Sequence, residues 1–341
     1  SKIQNINLFL SISNQCEIIN DFQNLDVELQ KINTYYDLFS CLKQSLKLPM
    51  LRKEFWGFVE HNKISMIICT MSHIWNIPIL IGRNKKIFYC IVCHDATPHK
   101  GDNFFLREYM LKKEIINANQ VITLTNYVKN IIEDDLNIDI PKNNVIPHGV
   151  FSYTDKKKVK VSKRKKILFF GRILPYKGLN SLLVAYKKIK KINKNVTLEI
   201  AGPGNLSKYE EKLSKLDDVY IKNSWIEEDE IKNYFKEAYI VVLPYIEASQ
   251  SGVIPIAYSN GIPVVVTPVG GLKEQVINNE TGIICKDIDP VSLFDGIIKL
   301  INNENLYASC VKGSLKYVDD HLSWTNIAQK FSNVIENSLK D

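Results

Sequence analysis

Apolar strand-like runs alternate with helix-like segments twice along this chain. The two stretches lie on either side of a basic run, residues 156–166, in which eight of eleven residues are Lys or Arg. Such alternation leaves few foldable outcomes, because parallel strands need a long crossover and a helix is the usual one. In the first stretch, residues 6–12, 64–70, 87–93, 121–124 and 145–147 predict strands, and 46–59, 107–117 and 126–135 predict helices. In the second, strands are expected at 166–170, 196–201, 219–221, 240–243 and 264–267. Leu179, Leu182, Leu183, Tyr186 and Ile189 mark one face of a helix, and helices also fit 229–238 and 290–302, the latter opened by Pro290.

The fold class read from this pattern is α/β, with two doubly wound Rossmann-like domains facing each other across a cleft. The expected division is a first domain over 1–155, a basic linker over 156–165 and a second domain over 166–320. A C-terminal helix over 321–341 is then placed to pack back on the first domain. A chain of 341 residues is long for one core and comfortable for two. Ligands of such sheets bind outside the carboxyl ends of the strands, so the cleft is the expected site.

The net charge of +7 is more than accounted for by the basic run. A solvated linker explains that run, and contact with an anionic membrane is the sharper alternative. No motif or basic groove with interleaved aromatics points to nucleic acid. The seven cysteines are odd in number and scattered, which predicts free thiols in a reducing compartment. Cys90-Ile91-Val92-Cys93-His94 matches a haem-attachment spacing, but it lies in a run that reads as a fully buried strand, so no cofactor is expected. With no membrane span and no secretory leader in view, the expected location is the cytoplasm, with the inner face of the plasma membrane as a place of peripheral contact.

Two segments carry chemistry. Ile167-Leu168-Phe169-Phe170 runs into Gly171, then offers the cations Arg172 and Lys177 where a helix begins. About seventy residues on, Leu243-Pro244-Tyr245 is followed by Glu247 and by Ser249-Gln250-Ser251-Gly252 at the start of another helix. A planar guanidinium, a point-charge ammonium, a carboxylate and backbone N–H groups suit a sugar attached to a nucleoside diphosphate. In the first half His94 follows an apolar strand, with Asp95 and His99 as weaker candidates for acceptor binding and no third metal ligand beside them. Asp287-Ile288-Asp289 has the look of a metal motif but precedes Pro290, where Asp289 is better explained as a helix cap. The expected metal site is therefore none.

From Ile167 onward the chain resembles the retaining glycosyltransferases of family 4, which have the GT-B fold. The matching pieces are Phe170-Gly171-Arg172 with Lys177-Gly178, Ala201-Gly202-Pro203-Gly204, Pro244-Tyr245 with Glu247, Gly261-Ile262-Pro263-Val264-Val265, Pro268-Val269-Gly270-Gly271 with Glu274, and Thr281-Gly282. In the first half the match is thinner, His94-Asp95 and the segment from Val145 to Val150.

The resemblance implies a hexosyltransferase that moves a sugar from a nucleoside-diphosphate sugar, UDP ahead of GDP, to a glycan or lipid-linked oligosaccharide with retention of configuration. Cell-surface polysaccharide and lipopolysaccharide pathways use such enzymes. It implies catalytic roles for His94, Arg172, Lys177 and Glu247, and a donor cradle at Gly171, Gly202, Gly204, Pro244, Ser249, Gln250, Ser251, Gly252 and Val253. Two departures stand out. Pro255 occupies the place of the family's second glutamate, the one that holds ribose, and the segment after Ile12 has no glycine until Gly57, so the usual first glycine-rich loop is absent or altered. A nucleotide-sugar epimerase and a non-catalytic nucleotide-sugar binder are the competing readings. For the acceptor half, residues 46–61 combine Lys47, Arg52 and Lys53 with Leu48, Met50, Leu51, Phe55, Trp56 and Phe58, and read as a core-facing helix ahead of a membrane-lying one.

Overall fold

The structure is a computed structural model and describes residues 7–16, 19–97, 105–135, 144–151 and 165–340. The second half folds around one six-stranded parallel sheet. Its strands are β6 (Lys165–Phe170), β7 (Val196–Ala201), β8 (Val219–Lys222), β9 (Ile240–Leu243), β10 (Val264–Val266) and β11 (Gly282–Ile284), in spatial order β11-β10-β9-β6-β7-β8. Strand pleating sends Ile167 and Phe169 to one face and Leu168 to the other, and each face buries its own core. The helices Leu179–Ile192 and Pro290–Asn302 cover the first face. As the 3.6-residue spacing predicts, Leu179, Leu182, Leu183, Tyr186 and Ile189 all lie at 0–1 % exposure. Glu228–Glu237 and Val253–Ser259 cover the second face.

The first half is less regular. Strands β3 (Met66–Cys69), β4 (Phe88–Cys93) and β5 (Gln120–Thr123) form a three-stranded parallel sheet, while β1 (Phe9–Ser13) and β2 (Glu28–Ile32) pair only with each other. The pair leans on the helix Leu48–His61, where Phe9 meets Phe58 edge-on at 6.1 Å and the Gln30 amide donates to the Glu54 carbonyl. The expected strand at 145–147 is a single bridge between Val145 and Thr123. The helix expected at 126–135 is α-helical only over Asn126–Asn130 and continues as a π-helical turn.

Beyond the helix Glu304–Tyr317 the chain turns through Val318–Leu322 and enters the helix Trp324–Lys340. Ile327, with Phe331 and Val334, packs there against Cys90, Val92, Ile122 and Leu124 of the first half. The chain thus passes twice between the halves, and the passes are tied where the Val150 N–H donates to the Leu322 carbonyl at 3.0 Å.

Cys90 and Cys93 both lie within β4, three residues apart, so they face opposite sides of the sheet and enter different cores. Burial pushes both thiols up to about 12. This geometry excludes the pair as joint anchors of one haem. Of the basic run, only Lys165 and Lys166 fall among the described residues, and both belong to β6. Lys166 is tied to Glu199 and Glu237 at 2.6 Å each, so it is a strand residue and not part of a solvated linker. No helix among the described residues is long and apolar enough to cross a membrane.

Candidate functional site

Strand order reverses between β6 and β9, since β7 and β8 build outward from one side of β6 and β10 and β11 from the far side of β9. The crevice of a doubly wound sheet opens at such a reversal, beyond the strands' carboxyl ends. Phe170-Gly171-Arg172 leaves β6 at that point and Pro244-Tyr245 leaves β9 beside it.

The turn after β6 is held by backbone. The Gly171 N–H donates to the Ala201 carbonyl at 2.9 Å and the Ile173 N–H to Pro203 at 2.7 Å. Gly202 has φ +141° and Gly204 φ +159°, and a Cβ on either would stand 2.2 Å from the Gly171 carbonyl oxygen or 2.4 Å from that of Ile173. These two glycines therefore let two loops cross at backbone contact. A short 3₁₀ turn, Pro175–Lys177, follows and ends at Gly178, whose φ is +68°. The Ile246 N–H reaches back to the Tyr176 carbonyl at 2.7 Å, locking the turn to the exit of β9.

This seat carries both cations and holds Lys177 in place. Lys177 Nζ lies 3.9 Å from the centre of the Tyr245 ring and 5.3 Å from that of Tyr176, so two aromatic faces hold the ammonium. Burial pushes the Tyr176 phenol above its ordinary range. Lys177 and then Arg172 pull it down, and Asp95 of the first domain pushes it up. One phenol thus feels both cations and, from across the cleft, the strand end that carries His94. Glu247 sits half-buried on the turn after β9.

His94 follows β4, and its Nε2 pairs with the Thr70 carbonyl at 3.0 Å. Burial draws the imidazole below its ordinary 6.5, His148 adds to that, and Thr70 and Asp95 oppose it. As pH falls through 6.5 the unfolded chain takes up a proton that the folded one does not, so His94 makes stability decline on the acid side. An NMR titration of His94 is expected to show a midpoint below 6.5, and a midpoint at or above it contradicts the assignment. His99 lies outside the described residues.

The second anion turn differs from expectation. The Ser251 N–H is taken by the Gln275 side chain at 2.7 Å, and Gln275 Nε2 donates back to the Ser251 carbonyl at 3.1 Å. That backbone donor is therefore not free for a phosphate, a correction to the sequence expectation. Val253 opens a helix of seven residues, Ser249 is buried with its carbonyl accepting from Thr125 Oγ1 at 3.0 Å, and Gly252 has open space where a side chain would stand. The buried Gln250 Oε1 has no partner. Pro255 and Ile254 give an apolar wall to a cavity of about 210 Å³ between the domains, which Asn126, His148, Glu274 and Tyr317 also line and Arg172, Lys177 and Glu247 do not.

Glu274 was legible only as a motif residue. In the structure its carboxylate accepts from the Asn126 N–H at 2.7 Å and the Tyr127 N–H at 2.6 Å, while Thr125 Oγ1 accepts from Val128. The first three donors of a first-domain helix are thus satisfied, two of them by the other domain. Gly270 and Gly271 permit the approach, since a Cβ on Gly271 would stand 2.0 Å from the Ser249 carbonyl oxygen and 2.9 Å from Thr125 Cγ2. Glu274→Ala is expected to cost about 1 kcal/mol, the typical worth of a helix cap at an exposed site, measured by urea denaturation. Glu274→Gln, which keeps an acceptor, recovers part of it.

Among the described residues no three His, Cys, Asp or Glu side chains gather as metal ligands. Asp289 instead caps Pro290–Asn302, accepting from the Val291 N–H at 2.5 Å and the Ser292 N–H at 3.0 Å.

The architecture is GT-B, two Rossmann-like α/β domains. The Anabaena protein HepE, solved with UDP, superposes with a TM-score of 0.77 at 13 % identity, covering 96 % of this chain and 92 % of that one. Residues 152–316 match the model of the family described as Glycosyl transferases group 1. An uncharacterized glycosyltransferase of Methanocaldococcus jannaschii is 30 % identical over 237 residues, 65 % of this chain and 60 % of that protein. The capsular polysaccharide biosynthesis glycosyltransferase CapM of Staphylococcus aureus is 24 % identical over 329 residues, 89 % of this chain and 83 % of that protein. The chain spans 58–60 % of the length of the first curated relatives it matches.

Proposed function

We propose that the protein is a glycosyltransferase that moves a hexose from a nucleoside-diphosphate sugar, UDP ahead of GDP, to a glycan or lipid-linked acceptor held at an anionic membrane surface. The observation that carries this reading is the glycine turn at the reversal of strand order, where Lys177 Nζ stands 3.9 Å from the centre of the Tyr245 ring at the exit of β9. Breaking the glycosyl bond puts negative charge on the departing diphosphate. Fixed cations in a closed cleft stabilise that charge without reorganising water. Arg172 forks onto one phosphate and Lys177, steadied over Tyr245, meets the other. Glu247 accepts from donor-sugar hydroxyls, and a neutral His94 lies on the sugar's side of the cleft. The resemblance to retaining enzymes implies that configuration is kept; with no carboxylate among the described residues assigned as an attacking nucleophile, the acceptor attacks from the face the diphosphate leaves, its proton passing to a leaving-phosphate oxygen. With Pro255 in place of a ribose-binding carboxylate, ribose recognition falls to backbone and apolar contact.

UDP and GDP are expected to raise the melting temperature where the nucleosides do not, and nucleotide release from a UDP-sugar is expected to continue in excess chelator. The reading of metal independence fails if chelation abolishes release and a divalent ion restores it. The transferase reading fails if no nucleoside diphosphate binds.

A further inference from the structure

The helix read as core-facing, with a membrane-lying one as the alternative, is turned mostly inward. In Leu48–His61, Leu51 and Val59 are buried, Trp56 Nε1 donates to the Ile79 carbonyl at 2.9 Å and the Arg52 guanidinium donates to the Ile81 carbonyl. The exposed apolar surface lies one helix earlier, on Leu38–Ser45 and the turn that follows.

Tyr36 is 81 % exposed, Phe39 78 %, Leu42 73 %, Leu46 83 % and Met50 52 %. Leu46 (φ −63°, ψ −23°) and Lys47 (φ −90°, ψ 0°) keep helical dihedrals, so residues 39, 42, 46 and 50 form one stripe at helical spacing. Lys43 and Lys47, both exposed, run beside it. Between Tyr36 and Lys53 the cations are Lys43, Lys47, Arg52 and Lys53 against one carboxylate, Asp37. That carboxylate is occupied in capping its own helix at the Ser40 N–H, 2.7 Å away. A water-facing helix gains nothing from a stripe of bare Phe and Leu side chains, and a protein partner of ordinary composition does not demand a flanking row of lysines. An apolar stripe bordered by cations matches the boundary between anionic headgroups and acyl chains.

The stripe also connects to the cleft. Ser45 Oγ, at the end of the helix, accepts from Trp75 Nε1 at 3.0 Å. Trp75 packs edge-on to His73 at 5.3 Å, and Thr70 at the head of the same loop holds the His94 ring.

We infer that the face formed by Phe39, Leu42, Leu46 and Met50 with Lys43 and Lys47 docks the first domain onto an anionic lipid bilayer. Docking there sets the His94 side of the cleft at a fixed height above the headgroups, where an acceptor carried by a lipid stands. This specifies the surface behind the acceptor reading and rests on that reading for its purpose, but its test does not depend on turnover.

The full chain is sedimented with phosphatidylcholine vesicles and with vesicles containing phosphatidylglycerol, at low and high salt. Binding to the anionic vesicles that weakens with salt is expected, together with a loss of about tenfold or more in Phe39→Ser/Leu42→Ser/Leu46→Ser and a smaller loss in Lys43→Glu/Lys47→Glu. Both variants are expected to keep the wild-type circular dichroism and the wild-type thermal shift with UDP, since the changed side chains face water. The inference is overturned if the wild type ignores anionic vesicles, or if the triple variant binds them as well as wild type. It is also overturned if replacing the lysines of residues 156–164 alone abolishes binding, or if the triple variant only converts a dimer to a monomer in analytical ultracentrifugation. Loss of the UDP shift in the wild type would instead strike the transferase reading and leave the vesicle result standing.

Discussion

Replacing Arg172 or Lys177 by alanine is expected to lower the rate of nucleotide release from the donor by about 10²-fold or more, the usual effect of deleting one fixed donor to a developing oxyanion. The loss should fall on kcat more than on KM, because the diphosphate gains charge as the bond breaks and each cation is worth more in the transition state than in the ground state. Arg172 is exposed, so its removal leaves stability within about 0.5 kcal/mol. Lys177 loses its contact with the Tyr245 ring as well, about 0.5–1 kcal/mol. Arg172→Lys keeps the charge but not the fork, and an intermediate rate is expected. Initial rates at saturating donor, with urea melts run alongside, separate these outcomes. A fall in stability that matches the fall in rate would point to damaged folding and not to lost catalysis.

Gly178→Ala is expected to be the costliest single-methyl change in the cleft, about 2–5 kcal/mol of folding stability from a left-handed backbone and an overpacked contact together. The φ of +68° disfavours any side chain, and the added Cβ would stand 1.8 Å from the Pro244 carbonyl oxygen, a backbone atom with little freedom to move. Because Gly178 ends the turn that carries Lys177, relaxation there also lifts the ammonium off Tyr245, so activity falls with stability. Gly252→Ala is the matched control. It lies at the same cleft with φ −68° and open space around it, and a change of about 0.5 kcal/mol or less is expected. Equal melts for the two variants would show that the backbone approach at Gly178 is not as described.

What could be read from the sequence follows the physics of burial. Strands β7 and β9 and the helix Pro290–Asn302 coincide with their expected bounds, since β9 is apolar throughout, β7 alternates apolar Val196, Leu198 and Ile200 with Thr197 and Glu199, and the helix has a strong 3.6-residue face. Strand β2 escaped notice because Glu28, Gln30 and Lys31 interrupt its apolar residues, as suits a short strand in an isolated pair. The helix Leu38–Ser45 escaped because Phe39 and Leu42 point to water, where no core demands a helix. At the site, the glycine turn and its two cations were legible because they are local in the chain. The Glu274 cap on Asn126 and the Gln275 clasp on Ser251 were not, for they join residues 148 and 24 apart. The Tyr245 seat for Lys177 appears only once β6 and β9 are known to be neighbours.

The central claim is that the cations at the β6 exit hold the leaving diphosphate. A crystal structure of the protein with UDP, and separately with GDP, tests it most directly. The account predicts phosphate oxygens within hydrogen-bond distance of the Arg172 guanidinium and the Lys177 ammonium in the complex that forms. A diphosphate bound elsewhere, with both cations facing solvent, would contradict it.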